Sequence, residues 1–423
     1  MIKLKTELKK SSLPDANTVE KLMVLELSVG GHYPEYIAHL IDHWQKQQKP
    51  RQLVLVVSPL FLKQHRDVVD LAKKYQPDQV IVITISAAEY EKLKPFDTGI
   101  NRNLRAWQEF QLLLKYARKF QANHVFIPYF DTLQIALIFN KSLPFTYSGI
   151  YFRPSFYYDN LVGHHSSRQD KFQHWREKIT LSLVLKKPEL KTLFCLDSWA
   201  IKYINQLSRE SKAVYLPDPV QIHPNSVSNI EQFKSNLGIE ASRQVHLLAG
   251  GIGKRKGLDK ILDSICFLNS ELCQRLCFLV VGPIEESYYQ ECLEKVRQLT
   301  SKLPIQIIFK NQHILETEIQ KYFQICDVVL APYQRHVGMS AILTRAAIAR
   351  KPVLAPNYGL MGEITRRYRL GIAINSTQIP EIAEGLTKFL TESPTTYCDF
   401  DLMQQYAEQN TPEKFTSIIF QHI

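Results

Sequence analysis

At 423 residues the chain has a two-domain length, and 45% apolar residues against 22% charged describe a folded globular protein and exclude a disordered one. No apolar run approaches the roughly 18 residues of a membrane span, and the first twenty residues lack the apolar core of a signal peptide, so a cytoplasmic protein is expected. Seven cysteines without CxxC spacing read as reduced, mostly buried thiols, which excludes a disulfide scaffold and a structural zinc site.

In chain order, apolar strands are predicted at 22–27, 52–58, 79–86, 124–128, 145–152, 192–197 and 213–216, separated by helix-period segments such as Leu104–Phe120. That alternation favours a mostly parallel sheet. The first strand runs into the turn Gly30-Gly31-His32, with a helix from Tyr33 or Pro34. No third glycine follows at dinucleotide-fingerprint spacing, but His32 stands beyond a strand's carboxyl end, where open α/β sheets bind ligands. Its imidazole can take a hydroxyl proton or donate to a phosphate, or simply bond nearby backbone. Asp131, just past the strand at 124–128, is a second chemical candidate and equally a candidate N-cap for a helix from Thr132.

Residues 153–191 break the rhythm with Arg153-Pro154, the aromatic run Phe156-Tyr157-Tyr158, Gly163-His164-His165 and a basic helix through Lys171, Arg176 and Lys178. Ligand recognition and a plain structural insertion both fit, the aromatics stacking on a ligand ring or filling a local core. His164-His165 lacks a third ligand at recognisable spacing, so no metal is expected. Pro217-Asp218-Pro219 then closes the first half.

The second half is predicted to hold strands at 245–249, 277–282, 305–309, 327–331, 352–355 and 371–374. Leu247–Gly257 reads as a strand, a Gly-rich turn containing Gly250 and Gly251, and three consecutive cations, Lys254, Arg255 and Lys256. Glycine allows backbone to approach a ligand and the cations can hold its negative charge, although a solvated basic turn has the same sequence. After the strand at 327–331, a helix expected to start at Gly338-Met339-Ser340 would offer its first amides to an anion. Asp399-Phe400-Asp401 reads as a polar linker, and the chain beyond it as helical.

In order and content these pieces resemble a GT-B glycosyltransferase, closest to glycosyltransferase family 4, the retaining group-1 transferases. The resemblance is carried by Gly30-Gly31, the turn with Lys256-Gly257, Val280-Val281-Gly282, Cys326–Pro332, Ala346–Val353 and Gly359–Glu363, and is specific from about 245 to 371. Three positions depart from it. The family's paired glutamates are replaced by Val337 and Arg345, and an arginine six residues ahead of the lysine by Gly250, with Arg255 or Lys254 left to take its phosphate contact.

The resemblance implies an α/β protein of GT-B architecture, two Rossmann-like domains with mostly parallel sheets facing a central cleft. An acceptor-side domain at 1–222 and a donor-nucleotide domain at 223–400 would be followed by a helical segment at 401–423 crossing back. It further implies a hexosyltransferase-type enzyme moving sugar from a nucleotide-sugar co-substrate to a glycan, lipid-linked or small-molecule acceptor, with retention, no metal and no other cofactor. His32 and Asp131 would be catalytic and Gly30 and Gly31 would form the acceptor-side loop. Gly250, Gly251, Arg255, Lys256, Gly338, Met339, Ser340, Arg345 and Glu363 would bind donor. Arg345 has donors only, so it either enters the cleft to grip diphosphate or points to solvent. Replacement of both glutamates leaves a second outcome, a catalytically silent nucleotide- or glycan-binding partner subunit.

Residues 1–222 hold 31 Lys and Arg against 21 Asp and Glu, and residues 223–423 hold 21 against 20. The basic first half suits an anionic acceptor or peripheral contact with the anionic inner face of a membrane, or solubility alone. No nucleic-acid-binding motif accompanies the charge, and nucleic acid is not an expected partner.

Overall fold

A computed structural model describes residues 20–30, 33–46, 51–74, 79–95, 99–140, 142–161, 167–221 and 229–423. The chain is α/β with two sheets. The first contains β1 (Glu20–Glu26), β2 (Arg51–Val57), β3 (Val80–Thr84), β4 (His124–Ile127), β5 (Thr146–Tyr151), β6 (Leu190–Cys195) and β7 (Ala213–Tyr215), in the order β3-β2-β1-β4-β5-β6-β7. The second contains β8 (Gln244–Ala249), β9 (Leu276–Val281), β10 (Gln306–Lys310), β11 (Val328–Leu330), β12 (Val353–Pro356) and β13 (Gly371–Ile374), in the order β10-β9-β8-β11-β12-β13. All its pairs are parallel. Every strand predicted from apolar runs is present, with ends shifted by a residue or two.

Backbone contacts divide the chain into two compact units, residues 1–149 with 188–191 and 423, and residues 150–187 with 192–422. The second sheet lies wholly in the latter, and its cores show why these segments are strands. Val245, Leu247 and Ala249 of β8 join Cys277, Leu279 and Val281 of β9 in one cluster. The alternate residues Leu248, Phe278 and Val280 join a different cluster with Leu258, Ile261 and Leu262 of helix Leu258–Ile265. A strand buried on both faces reads as a continuous apolar run, as these do.

Two local expectations are corrected. Asp399 is no linker residue: its Oδ1 accepts from the Asp401 and Leu402 amides, at 3.1 Å each, and caps helix Phe400–Gln409. Asp131 is not an N-cap, because it sits inside the short 3-10 turn Phe130–Thr132 and the following helix starts at Gln134. The expectation of reduced, mostly buried thiols holds: all seven cysteines are free, five are buried, and Cys266 is exposed.

Within 153–191 the aromatics fill core. Phe156, Tyr157 and Tyr158 are buried, the Tyr157 hydroxyl donates to Asp197, and the Tyr203 ring stacks on Tyr157 at 5.2 Å. Among the described residues no helix is long and apolar enough to cross a membrane.

Candidate anion site in the second sheet

The order of the second sheet reverses direction between β8 and β11, and open parallel sheets bind ligands at such a switch point, beyond the carboxyl ends of the strands. The basic turn leaves β8 there, and the loop Ala331–Ser340 leaves β11. Gly250 has φ +94°, a left-handed conformation that favours glycine, and a Cβ on it would lie 3.0 Å from Lys256 Nζ. A side chain at position 250 would be strained by that backbone conformation and would press against the lysine ammonium.

Lys256 is 6% exposed. Its Nζ donates to the Ala249 carbonyl at 2.7 Å and lies 4.8 Å from the centroid of the buried Tyr333 ring. Arg255 Cζ lies 5.1 Å from the same centroid. Two cations thus lie against one aromatic ring, an attraction worth about 0.5–2 kcal/mol each. One of the three ammonium donors is spent on Ala249, which leaves donors for an anion. Lys254 is turned elsewhere, toward Glu291 at 3.6 Å.

Hydrogen bonds hold Tyr333 in place. Its carbonyl accepts from Ser376 Oγ at 2.7 Å and from the Tyr358 hydroxyl at 2.9 Å, and its own hydroxyl accepts from Ser340 Oγ at 3.2 Å. The Gln334 amide donates to the Arg255 carbonyl at 2.7 Å, tying this loop to the basic turn. His336 Nε2 lies 3.1 Å from the Met339 carbonyl. Burial pushes His336 down to about 4 against the opposing pull of the Met339 bond, and the positive charges of Arg255, Arg153 and Lys256 each add a lesser downward push. The imidazole is neutral at pH 7.

Residues 338–340 precede the helix, which runs Ala341–Ile348 with Ser340 as N-cap and no side-chain cap bond. The expected helix start was therefore early, and Gly338 and Met339 belong to the loop. The Val337 carbonyl accepts from the Leu360 amide at 2.8 Å, while Gly359, at φ +66°, has no room for a Cβ beside the Val337 backbone, 2.8 Å away. Backbone alone thus fixes position 337 against helix Gly359–Arg367.

Other expected residues lie outside this cluster. Arg345 is buried and ion-paired with Glu316, so it faces neither solvent nor the Lys256 turn. Glu363 stands in the second turn of its helix, paired with Arg366 at 2.9 Å. Gly251 is exposed on the basic turn. Gly30 is exposed past β1 and Asp131 is partly buried, both in the first compact unit, while Gly31 and His32, like His164 and His165, lie outside the described residues.

Sequence reasoning missed Tyr333, His336 and Arg153. The Ala331-Pro332-Tyr333 string after a strand was a usable signal for the tyrosine, but nothing local announced Arg153, whose charge reaches His336 from a distant segment. Among the described residues no group of three or more His, Cys, Asp or Glu gathers as metal ligands.

Residues 229–410, which contain the whole cluster except Arg153, match the family model Glycosyl transferases group 1. No curated protein matches the chain in sequence. Among solved structures, Anabaena Alr3699/HepE in complex with UDP and glucose superposes with a TM-score of 0.64 at 12% identity, over 95% of this chain and 98% of that one. Sucrose-phosphate synthase from Thermosynechococcus elongatus gives 0.68 at 11%, over 95% and 98%. WaaG, a glycosyltransferase involved in lipopolysaccharide biosynthesis, gives 0.60 at 14%, over 94% and 99%. At such identities the likeness is one of fold: the chain has the two Rossmann-like, parallel-sheet domains of the GT-B glycosyltransferases, and its second half is similar to group 1.

Proposed function

We propose that the protein is a family 4-like hexosyltransferase that moves sugar from a nucleotide-sugar donor to a glycan, lipid-linked or small-molecule acceptor. The observation that carries this reading is the pair Lys256 and Arg255 on the Tyr333 ring, at the switch point of the sheet matched by the group-1 model. UDP is the nucleotide held by the HepE structures, and a uridine diphosphate donor is proposed here on that analogy. The donor domain is assigned to 223–400, the acceptor domain to 1–222, and 401–423 to a returning helical segment.

In this reading the sugar–phosphate bond of the donor breaks as the acceptor hydroxyl attacks from the same face, giving retention. The departing diphosphate is neutralised by Lys256 and Arg255, with Arg153 adding to the field and the first amides of helix Ala341–Ile348 oriented toward an anion. Fixed cations of this kind stabilise developing charge without a metal. Gly30 and Gly31 are assigned to the acceptor-side loop and His32 and Asp131 to catalysis, His32 to take the proton of the attacking hydroxyl.

The second reading, a silent nucleotide- or glycan-binding subunit, is favoured by one observation: Val337 and Arg345 replace the two carboxylates, and Arg345 is bound to Glu316. Incubation with UDP-, GDP- and ADP-sugars plus a lipid extract and short glycans, followed by mass spectrometry, separates the two. Glycosylated product supports the enzyme. Saturable nucleotide binding without transfer or hydrolysis supports the subunit, and absence of both rejects the assignment of the anion site.

A further inference from the structure

The helix Arg168–Leu185 has two apolar faces, and only one is used by the fold. His174, Leu181, Val184 and Leu185 are buried, and Glu177 accepts from the Tyr151 and Ser155 hydroxyls on the inner side. Phe172, Trp175, Ile179 and Leu183 are 63%, 59%, 41% and 44% exposed. Their spacing of three, four and four residues places them in one stripe at 100° per residue. The Phe172 and Trp175 rings lie 5.9 Å apart, so the aromatic end of the stripe is continuous.

Cations frame the stripe. On the same helical geometry Lys171 and Lys178 fall along one edge and Arg176 along the other, while Arg168 and Lys186 stand at the two ends, and all five are exposed. Neither acidic residue of the helix offsets them. Asp170 is engaged in the capping box with Ser167, and Glu177 faces inward. An apolar strip containing tryptophan, bordered by Lys and Arg, fits the boundary between acyl chains and anionic headgroups, with the helix lying in the plane of the surface. A second copy of the same face is disfavoured, because it would set five cations against five.

We infer that the exposed face of helix Arg168–Leu185, led by Phe172 and Trp175 and bordered by Lys171, Arg176 and Lys178, seats the protein on an anionic phospholipid surface. The inference is independent of the transfer reaction. It concerns a defined face rather than the general excess of positive charge in the first half of the chain.

Flotation of the full-length protein with vesicles of phosphatidylcholine and phosphatidylglycerol, against phosphatidylcholine alone, tests it. The wild type floats with the anionic vesicles at low salt, and the bound fraction falls at high salt as the headgroup attraction is screened. Phe172→Ser with Trp175→Ser, and separately Lys171→Glu with Lys178→Glu, each reduce vesicle affinity by about tenfold or more. All four side chains are exposed, so circular dichroism of both variants should match wild type. The tryptophan emission of the wild type shifts to the blue on anionic vesicles, and Trp175→Phe removes most of that shift. Equal flotation of wild type and both variants, or no flotation of the wild type, overturns the proposal. So does an acidic-vesicle-independent dimer, seen by sedimentation, that Phe172→Ser dissolves.

Discussion

Arg345 and Glu316 form an ion pair that joins helix Ala341–Ile348 to the first residue of helix Glu316–Ile325. The guanidinium is buried, whereas the Glu316 side chain is 35% exposed. Removing the arginine therefore leaves a carboxylate that water can reach, which limits the penalty. Arg345→Ala is expected to cost about 1–3 kcal/mol of stability in urea unfolding, and Arg345→Glu more, because it sets two carboxylates together. Nucleotide affinity of folded Arg345→Ala should stay within about twofold of wild type by calorimetry, since about 0.4 kcal/mol is all that would separate them. A large affinity loss at unchanged stability would return Arg345 to the donor site.

Lys256 gives the opposite expectation. Its ammonium is held between the Ala249 carbonyl and the Tyr333 ring. Lys256→Met keeps the buried stem and removes the charge. We expect it to weaken nucleotide-sugar binding by about 1.5–3 kcal/mol, the value of a lost charge-assisted contact. Calorimetric titration with a UDP-sugar, on protein whose circular dichroism matches wild type, is the check. Unchanged affinity would make the basic turn a structural clamp on Tyr333.

The two cases show how far the sequence was legible. Strands β8, β9, β11 and β12 were readable because burial on both faces demands uninterrupted apolar runs, as in Leu276–Val281. The turn at Gly250–Lys256 was readable because glycines and cations are local signals. The fate of Arg345 was not, since its partner Glu316 is on another helix and no spacing rule connects them. The aromatics at 156–158 were ambiguous for the same reason: Asp197 and Tyr203, which receive Tyr157, arrive from about forty residues away. Asp131 read equally as a chemical candidate and as a helix N-cap, and the second reading fails because a 3-10 turn intervenes before the helix.

Glu26, at the end of β1, supplies a pH dependence. Burial pushes its carboxyl up to about 8, with the charge of Glu109 adding to the rise and bonds from the Ser28 backbone and hydroxyl opposing it. A carboxyl raised in the folded state holds a proton that the unfolded chain has lost. Its contribution is fully present below the unfolded value of 4.5 and is lost as pH rises toward 8. Stability should fall across that window by up to about 1.4 kcal/mol per pH unit from this group. Glu26→Gln keeps an acceptor for the Ser28 amide and should flatten the profile between pH 5.5 and 7.5 by about 1–3 kcal/mol in urea unfolding. An identical slope in the variant would show that Glu26 ionises freely.

His336 offers a direct reading of anion binding. In the free protein burial holds its imidazole down at about 4, the Met339 carbonyl bond pulls the other way, and Arg255, Arg153 and Lys256 each add a lesser downward push. A diphosphate placed on Arg255 and Lys256 would neutralise the charges that oppose protonation. The His336 value should then rise on binding, and binding should be accompanied by proton uptake at pH 4.5–6, with little at pH 8. Two measurements check this. The His336 ring signals, assigned with His336→Gln, should titrate at higher pH in the presence of UDP, and UDP calorimetry in buffers of different ionisation enthalpy should report uptake that His336→Gln removes. The sign is what decides: loss of protons on binding, or a His336 titration indifferent to UDP, would place the diphosphate away from the cation pair on Tyr333 and separate this loop from the donor site.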